Sequence, residues 1–313
     1  MKIKMGISAC VYGHQVRFDS GHKTNYFCKD VLTDYCDFTP FCPEVGIGMS
    51  VPRPTIRLVL RDGEERLVMV KDQDQDFTEK MKEFADNAIP EIADMCGYVV
   101  CAKSPTCGME RVKLYNEKGH SLPGGTTGVY TRRLQQALPW LPIEEDGRLQ
   151  DSMLRENFVI RIMALHNLYT STEQLTAANI IQFHSRYKYL LMACNLVGYK
   201  SLGQFVGHIA EHDINAFFVE YRLRFMNILK KPATRKGNVN VLQHMQGYFK
   251  KSLTAKQKQE LSDSIMRYHR GYLPLLAPLT LINHYLSEHP NPYLSQQVYL
   301  DPYPQEMKLR YAM

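Results

Sequence analysis

Cysteine is the residue type in this sequence that offers the most chemistry, and three of its eight cysteines stand where a reactive site is expected. Cys10 and Cys107 fall in loops that follow predicted strands, and Cys42 lies in the Pro- and Gly-containing segment FCPEVGIGM. Open α/β sheets place their sites at the carboxyl ends of strands. Three thiolates at such an edge would suit an iron–sulfur cluster. Spacing alone also allows buried structural thiols, because no CxxC motif is present and five other cysteines compete: Cys28, Cys36, Cys96, Cys101 and Cys194.

Strand and helix patterns alternate over residues 1–150. Residues 3–9 and the run GYVVCA predict short buried strands, and TIRLVLRDGEERLVMVK predicts a hairpin around an Asp-Gly turn. The segment DFTEKMKEFADNAIPEIADM has helical spacing, and a Gly-rich loop enters a second helix at about Thr126. This alternation predicts an α/β N-terminal domain, a Rossmann-like open sheet with helices.

The pattern changes after residue 150, where helical periodicity continues and no convincing strand is found. We therefore predict an all-α C-terminal domain. The expected organisation is a catalytic domain over residues 1–150, a helical connection over 151–180 and a basic helical domain over 181–313.

Charge separates the two parts of the chain. Residues 1–150 contain 19 Lys and Arg against 21 Asp and Glu, whereas residues 151–313 contain 19 against 11. A basic half favours an anionic partner, of which nucleic acid is the commonest large one, although a solvated basic surface is the alternative. No apolar run has the length of a membrane helix and no secretory signal is recognisable, so we expect a cytoplasmic protein with free thiols and no membrane contact.

Several segments carry a resemblance to known families. ISACVYG, VRFDSGHK, FCPEVGIGM, VPRPTIRLV and AKSPTCGMERVKLY resemble the thiouracil desulfidase (TudS) family. FHSRYKYLLMA, KKPATRKGNVNVLQHMQGYFKK and YLDPYP resemble the helical domain of YbgA-type proteins. Fused in this order, the two parts are similar to the two-domain desulfidases that act on 4-thiouridine in tRNA.

The resemblance implies a 4Fe–4S cluster with three cysteine ligands, which are Cys10, Cys42 and Cys107 in this sequence. The fourth iron would stay open and act as a Lewis acid for the thiocarbonyl sulfur, which it would also capture. Water would then replace sulfur without net redox change. The family's catalytic residues correspond to Glu44, a general acid or base, and Ser104. Cys101 is not a ligand in the family pattern.

Two further groups of residues are expected to contact the substrate. Arg17, Asp19, His22 and Arg53 lie in matched segments and would orient the base or its phosphate, although a structural salt-bridge network explains them as well. The tRNA substrate would contact basic residues of the helical half, with no obligate protein partner expected. These residues are His184, Arg186, Lys188, Lys230, Lys231, Arg235, Lys236, Lys250 and Lys251. The alternative functions are desulfuration of free thiouracil-type bases and RNA binding without catalysis.

Overall fold

The computed structural model describes residues 2–311, and the chain divides into two compact units at Phe158–Val159. The first unit is an α/β domain and the second is helical, as predicted. None of the helices formed by residues 2–311 has the length and apolar character required to cross a membrane.

A four-stranded parallel sheet forms the centre of the first unit. Its strands are β1 (Ile3–Ser8), β2 (Cys36–Phe41), β5 (Tyr98–Val100) and β7 (Ile143–Glu145), in the order β2-β1-β5-β7. The two inner strands, β1 and β5, are almost continuously buried, as expected for a parallel sheet covered on both faces.

Strand β2 is not among the predicted strands. It contains Pro40, which lacks a backbone N–H and therefore argues against a central strand. In the structure β2 lies at the edge of the sheet, where one side of the strand needs no partner. Pro40 stands opposite Ile7 of β1 in the ladder. The sequence preceding Cys42 is therefore a strand rather than part of a longer loop.

A second sheet contains the predicted hairpin. Its strands are β3 (Ile56–Arg61), β4 (Glu64–Met69) and β6 (Leu114–Asn116), in the order β4-β3-β6. Strands β3 and β4 are antiparallel, and the turn residues Asp62 and Gly63 have φ values of 51° and 79°. Positive φ at both positions is what a two-residue type I′ turn requires, so the hairpin prediction is confirmed.

The α-helices that lie wholly within the described residues of the first unit are α1 (Ala9–Tyr12), α2 (Pro43–Gly46), α3 (Thr78–Ile92) and α4 (Val129–Ala137). Helix α3 buries Met81, Ala85 and Ala88 on one face, which confirms the predicted helical spacing. Helix α4 begins later than the predicted Thr126, because Thr126 exchanges two backbone hydrogen bonds of 3.0 Å with Val112. The short helices α1 and α2 follow β1 and β2; Cys10 lies in α1, and Cys42 is the N-cap residue of α2.

The second unit has no strand within the part of the chain that the structure describes, as predicted. Its aromatic core includes Phe183, Tyr187, Tyr221 and Phe225, whose rings contact one another. Helix α5 (Ser152–Ser171) contains the boundary between the units. The remaining helices are α6 (Ala177–Cys194), α7 (Leu196–Gly207), α8 (Ile214–Leu229), α9 (Arg235–Gln246), α10 (Ala255–His269), α11 (Leu276–Glu288) and α12 (Pro292–Ser295).

Candidate active site

Three neighbouring parallel strands end at one edge of the main sheet, and a cysteine follows each of them. Cys10 lies in α1 just beyond β1, Cys42 directly follows β2, and Cys101 directly follows β5. Because β1 pairs in parallel with both β2 and β5, the three carboxyl ends lie side by side. All three cysteines line a cavity of about 550 Å³. The sheet topology thus gathers thiols that are far apart in sequence.

Cys107 reaches the same cavity from the loop between β5 and β6. The Thr131 hydroxyl of α4 donates a 2.6 Å hydrogen bond to the Cys107 carbonyl, and the Gly128 N–H donates to the Gly108 carbonyl at 2.8 Å. A Cβ at Gly128 would lie 2.4 Å from the Thr106 carbonyl oxygen, so the close approach of the two segments requires glycine. The start of α4 therefore fixes the loop that carries Cys107.

The cavity thiols interact with one another. A hydrogen bond with Cys101, followed by burial, raises the pKa of Cys10, and the nearby Cys107 and Cys42 thiols act in the same direction. The same hydrogen bond lowers the pKa of Cys101. Burial is the main cause of the raised pKa of both Cys42 and Cys107. A metal that binds such thiols must displace their protons.

The donor set of the cavity suits one kind of metal group. Among residues 2–311, no three His, Cys, Asp or Glu side chains are placed to hold a single metal ion. Four thiols line the cavity, and two of them, Cys10 and Cys101, are neighbours. In an iron–sulfur cluster a separate thiolate binds each iron, so the ligands need not converge on one point. The donor chemistry of the cavity fits a cluster of that kind.

Glu44 lies in α2, within one turn of Cys42, and an arginine fixes its side chain in the cavity wall. The Arg53 guanidinium donates to Glu44 Oε2 from Nε at 2.8 Å and from a terminal nitrogen at 2.5 Å. Arg53 is 8% exposed and also donates to the Val16 carbonyl at 2.8 Å and the Ser50 carbonyl at 3.3 Å. Arg53 therefore holds Glu44 through an ion pair, which agrees with the salt-bridge alternative; its predicted contact with substrate stays a prediction.

Ser104 and Glu44 are linked through Thr106. The Thr106 hydroxyl donates to Glu44 Oε1 at 2.7 Å, and its oxygen lies 2.8 Å from Ser104 Oγ. The backbone N–H groups of Thr106 and Cys107 donate to Ser104 Oγ at 3.2 and 3.1 Å, which leaves the serine proton for Thr106. Thr106 is not among the predicted residues, although it lies between Ser104 and Cys107 in the motif SPTC.

The predicted substrate-orienting residues separate into two groups. Arg17 and Arg53 line the cavity, whereas Asp19 and His22 do not. Asp19 lies 3.5 Å from the Arg17 guanidinium, and the Gly21 N–H is the main cause of its lowered pKa. His22 is exposed, and its Nδ1 lies 2.9 Å from the Thr24 hydroxyl. Asp19 and His22 thus stabilise the loop beside the cavity.

Lys23 is a cavity residue that sequence patterns do not reveal. Its ammonium group forms an ion pair of 2.9 Å with Asp146, a buried carboxylate just beyond β7. Burial lowers the pKa of Lys23, but the hydrogen bond and the charge of Asp146 outweigh it, so the pKa is raised overall. Asp146 also accepts the Ala102 N–H at 2.7 Å. The ion pair thus adds a cation to the wall and fixes the segment beyond Cys101.

The four cysteines outside the cavity are buried or nearly so. Burial raises the pKa of Cys36, Cys96 and Cys194 to about 12 and also raises the pKa of Cys28. Buried thiols of this kind pack as small apolar side chains.

The residues predicted to contact tRNA occupy different environments in the second unit. His184 is half-buried, 3.3 Å from the Tyr221 hydroxyl, and burial lowers its pKa to about 4, so it supplies no positive charge at neutral pH. Lys188 lies over the rings of Tyr189 and Tyr293. Arg235 donates to the Tyr268 carbonyl, and Arg186 lines a surface hollow. Five lysines are exposed: Lys230, Lys231, Lys236, Lys250 and Lys251.

Two family models match this chain. Residues 5–146 match the family described as 2-thiouracil desulfurase, and residues 188–304 match a family described as a protein of unknown function, DUF1722. The chain therefore combines a desulfurase-type domain with a DUF1722 domain. The predicted order of a TudS-type domain and a YbgA-type domain is confirmed.

A curated relative and a solved structure are similar to this chain. The relative is the uncharacterized protein YbgA of Escherichia coli (strain K12), 38% identical over 167 residues that cover 53% of this chain and 96% of the relative. This chain belongs to the YbgA family. The solved structure is a 4Fe-4S-dependent thiouracil desulfidase, TudS, with 26% identity and a TM-score of 0.38. The similarity covers 48% of this chain and 94% of that one.

Proposed function

We propose that this protein is a desulfidase that replaces the thiocarbonyl sulfur of a thiopyrimidine with oxygen, and that its substrate is 4-thiouridine in tRNA. The match of residues 5–146 to 2-thiouracil desulfurases supports the reaction class. The observation that carries the proposal is the single cavity in which thiols from separate strand ends face a fixed carboxylate. In the reaction, water supplies the oxygen and sulfur leaves as hydrogen sulfide. No electron donor or acceptor is needed.

Cys10, Cys42 and Cys107 would hold a 4Fe–4S cluster, in agreement with the ligand set that the family resemblance implies. When bound through three thiolates, such a cluster supplies an iron without a protein ligand, which is a Lewis acid with affinity for sulfur. Cys101 lies next to Cys10 and stays outside this ligand set.

The chain's own side chains provide the proton chemistry. Glu44 accepts a proton from the attacking water, and Arg53 keeps the carboxylate oriented during that step. Ser104 reaches Glu44 through the Thr106 hydroxyl, so a proton can move between the two ends of this hydrogen-bonded chain. The apolar side chains of Phe18, Phe41 and Ile56 line the cavity as well. The cavity volume of about 550 Å³ lies within the range of small-molecule sites.

A tRNA substrate is supported by the basic character of the second unit. Its five exposed lysines from the predicted set are available to neutralise phosphates. A base stacked inside tRNA cannot enter a cavity, so it must be extruded first. Desulfuration of free thiouracil is the second candidate, which the family description favours. A tRNA substrate also agrees with the expected cytoplasmic location.

The two substrates are distinguished by the salt dependence of turnover. With anaerobically reconstituted full-length protein, kcat/KM for tRNA that contains 4-thiouridine is expected to fall by on the order of tenfold or more between low and physiological salt. The value for free 2-thiouracil should change little, because that base has no phosphate. Release of sulfide and loss of the thiocarbonyl absorbance measure both reactions. Turnover of 2-thiouracil without turnover of the tRNA would contradict the tRNA substrate and support desulfuration of free thiouracil.

A pair of variants tests the hydroxyl of Thr106. Thr106→Val keeps the size of the side chain but breaks the link between Ser104 and Glu44, so kcat should fall by on the order of 10²-fold with little change in KM. Thr106→Ser keeps the hydroxyl and is the matched control, expected to retain most of the activity. Iron and acid-labile sulfide are measured for both. Equal rates for the two variants at equal iron content would contradict a role for the hydroxyl.

A further inference from the structure

A second depression lies beside the catalytic cavity on the first unit, and its lining is strongly basic. Arg57, Lys103, Arg111 and Lys113 all line it, and none of the carboxylates among residues 2–311 does. The aromatic ring of Tyr115 lies at the same surface. We call this depression the basic groove. The four basic residues are not among those predicted to contact tRNA.

The basic groove and the catalytic cavity share three lining residues. Ile56, Lys103 and Pro105 line both depressions. Ser104 and Cys107, which belong to the catalytic cavity, are neighbours of Pro105 in the chain. The two depressions are therefore adjacent on the first unit.

The positive charges of the groove are largely free to meet an anion. No described carboxylate lies within ion-pair distance of Arg57, Lys103 or Lys113. The Arg57 guanidinium lies over the Tyr115 ring at 5.2 Å, and its Nε has no hydrogen-bond partner although it is buried. Arg111 is the exception, since it forms an ion pair of 2.8 Å with Glu110.

Three arginines elsewhere in the same unit are paired with carboxylates. Arg66, Arg132 and Arg133 form ion pairs with Glu64, Glu65 and Asp86. Cations held close together without matching carboxylates repel one another unless an anion is bound. The groove is therefore a place where the unit concentrates unneutralised positive charge.

Backbone geometry adds a second observation. Lys103 has φ 64° and Arg111 has φ 54°, values that glycine adopts far more readily than a residue with a side chain. The chain thus keeps a basic side chain at two groove positions where the backbone favours glycine. Such outliers concentrate at binding and catalytic sites.

We propose that the basic groove binds the phosphodiester backbone of the RNA strand next to the nucleotide whose base occupies the cavity. This inference rests on the proposed function. A row of cations beside the catalytic cavity matches a polyanion that carries one reactive base. The stacking surface of Tyr115 suits a neighbouring base of a strand locally opened by base extrusion.

The test measures binding of full-length protein to unmodified tRNA, which cannot be turned over, as a function of salt. The double variant Arg111→Gln/Lys113→Gln is expected to bind more weakly. The slope of log affinity against log salt is negative, and its magnitude should decrease by roughly 1 to 2. The matched control Lys29→Gln/Lys80→Gln removes the same charge from exposed positions outside both depressions and should keep the wild-type slope.

A single variant separates charge from folding effects. Lys113→Gln breaks no ion pair. It should reduce the magnitude of the salt slope by about half as much as the double variant does. Slopes equal to those of the control for both groove variants would overturn the groove assignment and leave the proposed desulfidase function in place. If the wild-type protein does not bind tRNA with salt dependence, both the groove assignment and the tRNA substrate are overturned.

Discussion

Glu44→Gln is expected to keep the iron and sulfide content of the wild-type protein while lowering turnover by about 10²- to 10⁴-fold. The amide has nearly the shape of the carboxylate and can still accept the Thr106 hydrogen bond. It cannot take a proton from water. The variant also removes the partner of Arg53, which is 8% exposed and keeps its bonds to the Val16 and Ser50 carbonyls. Some loss of stability is therefore expected beside the loss of activity.

Glu65→Gln is a matched control for this variant. Glu65 forms an ion pair with Arg132 and accepts a 2.8 Å hydrogen bond from the Thr126 hydroxyl, so the same three residue types recur outside the catalytic cavity. Thermal unfolding of both variants shows what the broken ion pair does to stability. Only Glu44→Gln should lose turnover of thiolated tRNA and of 2-thiouracil. A Glu44→Gln protein that keeps the wild-type rate at full iron content would contradict the role of Glu44.

Sequence patterns correctly predicted those elements whose turn residues or apolar spacing match the position of the element in the folded protein. The Asp62-Gly63 turn has a backbone that few other dipeptides adopt easily, and α3 shows an unbroken apolar face. Strand β2 was not predictable, because Pro40 is tolerated only at an edge, and the position of a strand in a sheet depends on the other strands. The start of α4 is set by the pairing of Thr126 with Val112, which is distant in sequence.

The candidate site shows the same division. The position of Cys10 at the sheet edge could be predicted, since it follows a predicted strand. The strand before Cys42 was not predicted, and the cysteine directly after β5 is Cys101 rather than Cys107. The hydrogen bond of Thr106 with Glu44 joins two segments that are far apart in sequence, and no sequence pattern predicts it. The same holds for the ion pair of Lys23 with Asp146, which spans most of the first unit. His184 was predicted from its basic neighbours in FHSRYKYL. Its half-buried position follows from the packing of α6 against Tyr221, which charge patterns do not report.

The largest effect is expected from the cysteines. Cys10→Ala, Cys42→Ala and Cys107→Ala should each lose most of the bound iron and acid-labile sulfide, because each would leave one iron of the cluster without its thiolate. The wild-type protein, reconstituted without oxygen, should hold about four irons and four sulfides per chain. Turnover should disappear with the cluster. Cys96→Ala is a control for the loss of a buried thiol outside the cavity, and its iron content should stay unchanged.

Cys101→Ala is the decisive member of this series, because the Cys101 thiol is hydrogen-bonded to Cys10 and lines the same cavity. Retained iron in Cys101→Ala, beside loss in the other three cavity variants, would establish a three-thiolate cluster with one iron left for substrate sulfur. Loss of iron in all four would mean that Cys101 is a ligand and that no iron is open, so the proposed sulfur chemistry would fail. Iron retained by Cys10→Ala but lost by Cys101→Ala would mean that Cys101, and not Cys10, is the third ligand. The cluster would then still have one iron without a protein ligand.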